Sequence, residues 1–229
     1  MNKNLAMVAA NLTANAKRVQ SCKLVGGAKK KEGHIKENNF NAIFNPGCKD
    51  ITMKAEADCQ ISENHTILLN LLKEGIISNL NQRNTSNKSG KSMQFVLGKI
   101  PELEKDDNLK WIQNEDNFKQ LLEKYLKKSE SERPADLLVY DDDKTKTICF
   151  FNMDNVIYYM VKNCIFRKLK SGRIKGDFKD NSKKGKRQYF TYEYRGKNHK
   201  SHFMGMNGGK GKPFIELLKT RIKYYEYSY

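Results

Sequence analysis

Glu37, Asp58 and Lys88 are residue types that together could cut a phosphodiester. That hydrolysis needs one or two divalent cations held by carboxylates, an activated water, and a cation beside the scissile phosphate. Magnesium keeps several waters of its own, so one or two protein carboxylates and a main-chain carbonyl suffice to hold it. Glu37 falls near Phe40 and Phe44 on the apolar face of a helix in HIKENNFNAIFN, and an acid on an inward face needs a partner. Asp58 sits in the strand-like stretch AEADC, and Lys88 in TSNKSG, far enough along to lie on a neighbouring strand of one sheet. Lys88 precedes a Ser/Gly/Lys turn, which reads equally as the end of an ordinary hairpin.

The elements that must position these residues follow from periodicity. Leu5, Val8, Leu12, Ala16 and Val19 have helical spacing over roughly residues 1–20, and Phe40, Ile43 and Phe44 share a helix face that Pro46-Gly47 stops. ITMKAEADCQIS alternates as a strand, whereas TILLNLLKEGI fits a second strand or a short helix. KSMQFVLGKIPEL either continues the sheet or starts a helix, and residues 106–130 read as one helix through Trp111, Phe118, Leu121, Leu122, Tyr125 and Leu126. PADLLVYDDDKTKTICFF is a hairpin, MDNVIYYMVKN a helix with Asp154 in its first turn, and KGKPFIELLKTRIKYY a closing helix. PADLLVYDDD also offers Asp136 as a second placement of the aspartate, although no acid-x-lysine strand follows TKTICFF at the matching distance.

At Glu37, Asp58 and Ser86-Asn87-Lys88 the sequence resembles the PD-(D/E)XK nuclease superfamily, and within it type II restriction endonucleases. The family pattern is a glutamate on a helix, an aspartate on one strand and acid-x-lysine on the next. Here Ala57 stands where the pattern has proline, and Ser86 where it has an acid. The resemblance spans roughly residues 30–100. It implies that Asp58 binds Mg²⁺, that Glu37 supplies a second carboxylate directly or through water, and that the Asn87 carbonyl completes the shell. Lys88 would orient or deprotonate the attacking water and offset charge on the phosphate. Lys91, in the basic turn, would lie near the DNA backbone, and Gln94 would orient or contact a base.

Composition sets the remaining expectations. The 229 residues carry a formal net charge of +17, unevenly: 22 basic against 20 acidic residues up to Asp143, and 21 against 6 from Lys144 onward. A basic segment of that kind fits a polyanion, because each cation meeting a phosphate releases counterions. In FRKLKSGRIKGDF and KKGKRQYFTYEYRGKNHK cations alternate with Phe and Tyr, which makes Arg167, Arg173, Lys175, Arg187, Arg195 and Lys200 the candidate phosphate or base contacts. The plainer reading makes the aromatics sheet core and the lysines its solvated face. Five cysteines without a CxxC pair, and no apolar run long enough for a membrane span, are expected of a reduced cytoplasmic protein. The expectation is therefore one α/β domain with a mixed central sheet flanked by helices. Its catalytic core would cover about residues 30–130 and its basic α+β recognition portion about 144–229. The predicted function is Mg²⁺-dependent cleavage of double-stranded DNA by a homodimer, against two rivals: a non-catalytic nucleic-acid-binding protein and a structure-selective nuclease.

Overall fold

The computed structural model describes residues 39–46, 59–89, 93–98, 108–168, 170, 174–179, 190–194, 202–206 and 211–229. Its centre is a five-stranded mixed sheet in the order β1 (Cys59–Gln60), β2 (Asn84–Ser89), β4 (Leu137–Asp142), β5 (Thr147–Asn152) and β10 (Tyr224–Ser228). β2 and β4 run parallel, and the other neighbours are antiparallel. This bears out the α/β class with a mixed central sheet flanked by helices.

Period-two alternation divides the side chains of this sheet between two cores. Leu137, Val139, Ile148 and Phe150 point to one face, where they meet Phe40, Ile43 and Phe44 of helix α1 (39–44) and Ile67, Leu68 and Leu71 of α2 (Ile67–Lys73). TILLNLLKEGI thus resolves as a helix. Leu138, Tyr140, Cys149 and Phe151 point to the other face. There they meet α3 (Asn108–Gln113), α4 (Glu115–Leu122), α5 (Met153–Asn163) and α6 (Gly211–Arg221). A strand covered on both faces reads as a continuous apolar run, which is what LLVY and ICFF are. Fully burying one such Phe or Leu stabilises the fold by about 1.5–3 kcal/mol.

A second five-stranded sheet, entirely antiparallel, has the order β3 (Met93–Gly98), β9 (His202–Met206), β8 (Phe190–Tyr194), β7 (Ile174–Phe178) and β6 (Cys164–Lys168). It joins the helical layer through Phe166, whose ring meets Phe118 edge-on at 5.0 Å, and Phe178, stacked between Tyr159 and Phe214. The two sheets interleave along the chain: β3 from its middle enters the second, and β5 and β10 from its basic part enter the first. Three local outcomes differ from the sequence expectation. The single helix over 106–130 is divided at Asn114, whose extended backbone and side-chain oxygen cap α4 by accepting from the amides of Asp116 and Asn117. The closing helix stops at Arg221, and YYEYS pairs with β5 instead, bringing Tyr224 and Tyr225 opposite Phe151 and Phe150. Finally, β2 and β3 belong to different sheets, so TSNKSGKSMQF is a crossover and not a hairpin.

Candidate functional site

β2 lies between the edge strand β1, paired through Cys59↔Thr85 and Gln60↔Asn84, and the parallel strand β4, paired through Thr85↔Leu137 to Ser89↔Asp141. Thr85 and Asn87 therefore share the α1–α2 face with Leu137 and Val139, while Asn84, Ser86 and Lys88 share the other with Leu138 and Tyr140. Ser86 is almost fully buried beside Leu138. Lys88 is half-buried beside Tyr140 and donates from Nζ to the Asn87 carbonyl at 3.2 Å. That carbonyl, the one main-chain metal donor implied by the resemblance, is thus already in contact with the lysine.

Asp58 and Glu37 lie outside the described residues, as do Lys91, Arg173, Arg187, Arg195 and Lys200. β1 begins one residue after Asp58 and is the antiparallel neighbour of the strand carrying Lys88. α1, which follows Glu37, packs on the face opposite Lys88. Arg167 is exposed on β6 and is register partner to Lys175 on β7, while Gln94 on β3 is partner to Gly205 on β9. Among the described residues no group of three or more His, Cys, Asp or Glu could hold a metal ion.

One charged constellation assembles around Asp136, the alternative aspartate in the sequence. Its Oδ2 accepts the Asn84 amide at 2.9 Å, its own amide donates to the Asn84 carbonyl at 2.9 Å, and its carbonyl accepts the Met153 amide at 2.9 Å. One residue therefore joins β2, β4 and the start of α5. Burial pushes the Asp136 carboxyl above its ordinary 3.8, against the opposing pull of the Asn84 and Arg83 amides and of Lys127. Lys127 in turn pairs with Asp154 Oδ1 at 2.5 Å, and Gln60 Nε2 donates to Asn84 Oδ1 at 2.9 Å. Sequence spacing concealed Lys127 because it comes from the π-helical turn Glu123–Lys127 and not from a strand.

At the opposite end of β4, Asp142 pairs with Lys212 at 2.5 Å and Tyr229 Oη donates to Asp141 at 3.0 Å. Burial, together with Asp142, Glu216 and Asp141, pushes the Tyr140 hydroxyl up to about 12, so the phenol beside Lys88 is protonated at neutral pH. Burial likewise pushes the Cys149 thiol up to about 12 and the Cys164 thiol well above its ordinary value. Both shifts favour the protonated thiol over the thiolate. No family model, curated protein or solved structure matches this chain.

Proposed function

We propose that the protein is a Mg²⁺-dependent endonuclease of restriction type, hydrolysing double-stranded DNA at specific sites as a homodimer. The observation that carries this reading is the adjacency of β1 and β2, which makes the strand entered directly after Asp58 the neighbour of the strand bearing Lys88. The reading requires Asp58 to extend β1 by one residue on the face shared by Gln60, Asn84, Ser86 and Lys88. Mg²⁺ would be held by Asp58 and the Asn87 carbonyl, and would polarise the phosphate and its attacking water; Glu37 precedes α1, which packs on the opposite face, and is left out of this shell. Lys88 would move from the Asn87 carbonyl toward that water or the phosphate, supplying the cation that hydrolysis needs. Two-fold pairing would bring two such sites to the two strands of a palindrome. The partly buried Asp136, with Lys127 and Asp154 at the same strand end, favours a second placement of the activity.

Purified protein incubated with plasmid and phage DNA in Mg²⁺ is expected to give discrete fragments, absent in EDTA. Asp58→Ala, which removes the carboxylate that would hold the metal, and Lys88→Ala, which removes the group that would act on the attacking water, should each reduce the rate by at least about 100-fold. Loss in Asp136→Asn with full activity in Asp58→Ala would move the site to the second placement. Intact DNA retarded on a gel in a salt-sensitive way would replace the nuclease by a binding protein.

A further inference from the structure

Period-two alternation puts Tyr140 and Asp142 on one face of β4, and the pair Lys88↔Tyr140 puts Lys88 on the same face of β2. The two parallel strands end together here, at Ser89 and Asp142. One inter-strand step of about 4.8 Å and two residues of about 3.3 Å each set the Cα atoms of Lys88 and Asp142 about 8 Å apart. Helix α6 packs on this face through Phe214, Ile215 and Leu218, and Lys212 in its first turn reaches Asp142 Oδ2 at 2.5 Å. A lysine from the basic part of the chain thus arrives at the strand end that carries Lys88. Asp142 is fixed independently of it: its Oδ1 accepts the Lys144 amide at 3.1 Å and its carbonyl accepts the Thr145 amide at 3.2 Å, both within the β4–β5 turn. The Asp142 side chain is 13% exposed and that of Lys212 41%, so the ammonium is the solvent-facing half of the pair. An ammonium has three donors, and Asp142 Oδ2 is the acceptor that Lys212 meets among the described residues.

From this we infer that Lys212, braced by Asp142, binds a backbone phosphate of duplex DNA lying across this strand end, beside the phosphate that Lys88 serves. The inference rests on the DNA-directed reading above and extends its site with a residue from the basic C-terminal part. The occupant follows from charge and place. A lysine is a point-charge ligand for phosphate, and the residue it flanks is the one assigned to the scissile phosphate. One N–H bonded to a fixed carboxylate leaves two for an anion and holds them in one direction. With Cα atoms about 8 Å apart on β2 and β4, the two strand positions serve different phosphates. Lys212 therefore fixes the position of the duplex without touching the reacting atoms, as phosphate contacts do. Lys219, near the other end of α6, is braced by Glu226 at 2.9 Å in the same way, but at the β10 edge of the sheet, with β5 between it and β4.

The test is fluorescence anisotropy of a labelled DNA duplex with the full chain in EDTA, which reads binding without cleavage, followed by single-turnover cleavage in Mg²⁺. Lys212→Ala should weaken binding about 5-fold and flatten the plot of log affinity against log salt by about one, the signature of one lost phosphate contact. Lys212→Arg keeps the charge and should bind within about 2-fold of wild type. Lys219→Ala removes the ion pair at the other end of α6 with the same change in net charge, and should lower the melting temperature at least as far as Lys212→Ala while keeping the wild-type salt slope. Equal losses of affinity and slope in Lys212→Ala and Lys219→Ala would overturn the inference, as would wild-type affinity and slope in Lys212→Ala. The expected binding changes without cleavage by the wild-type chain would support the phosphate contact and overturn the endonuclease reading. A wild-type chain with no affinity for the duplex would overturn both.

Discussion

Thr85 and Ser86 are adjacent on β2 and both buried, yet they belong to opposite faces of the sheet. Thr85 Oγ1 has no hydrogen-bond partner among the described residues, and its neighbours on that face are Leu137 and Cys59. A buried hydroxyl left unpaired costs about 1–3 kcal/mol, and valine has nearly the same shape. Thr85→Val is therefore expected to raise the free energy of unfolding by about 1 kcal/mol, measured by urea denaturation; a loss of stability would show that the hydroxyl is bonded. Ser86 occupies the position at which the resemblance expects an acid, and it is sealed beside Leu138. A carboxylate there would have to be paired to be tolerated, so the residue type agrees with the apolar burial of the position.

At the scale of elements, caps and breaks decided what periodicity left ambiguous. Phe118, Leu121, Leu122 and Leu126 have the helical spacing expected of residues 106–130, but Asn114 followed by Glu115 and Asp116 is a start signal inside that run. Asn114→Ala removes the acceptor of two amides and should cost about 1 kcal/mol by chemical denaturation, with no change in fold. The start of α5 is set in a similar way. Asn152 accepts the Asn155 amide through its side chain and donates to the Ile76 carbonyl, tying the helix start to the α2 side of the sheet. The hairpin of β4 and β5 was legible because both strands are uniformly apolar and the turn between them is Asp- and Lys-rich. The terminal strand was concealed by a helix that reaches within three residues of it.

Across the whole molecule, two buttressed carboxylates hold helix α6 near its two ends, and the first of them joins the basic C-terminal part to the rest. Asp142 at the end of β4 holds Lys212 at the start of α6, and Glu226 on β10 holds Lys219 near the end of α6 at 2.9 Å. Burial works against ionisation of Asp142, but the Lys212 contact and the Lys144 and Thr145 amides prevail and hold its carboxyl below 3.8. The Lys219 hydrogen bond holds Glu226 below 4.5. A carboxyl lowered on folding stabilises above its unfolded value and loses that contribution as pH falls through its folded one. Stability is therefore expected to fall below about pH 4.5, and Asp142→Asn/Glu226→Gln should flatten that acid limb of the melting-temperature profile while lowering the plateau. A double variant with the wild-type acid limb would place the responsible carboxylates elsewhere.

The sequence by itself determined the α/β class, the apolar β4–β5 pair, the amphipathic helices and the basic bias of the chain after Lys144. These are properties of short windows, in which burial imposes a period of two or 3.6 on residue type. Only the tertiary structure decided that β2 pairs with β4 and not with β3, and that Lys88 lies on the face opposite α1. Only it gathered Lys127, Asp136 and Asp154 at one strand end. The physical reason is that strand pairing is non-local. Which strand lies beside which, and in what register, is settled by how whole faces bury against one another, and a slip of one residue would move every side chain to the other face.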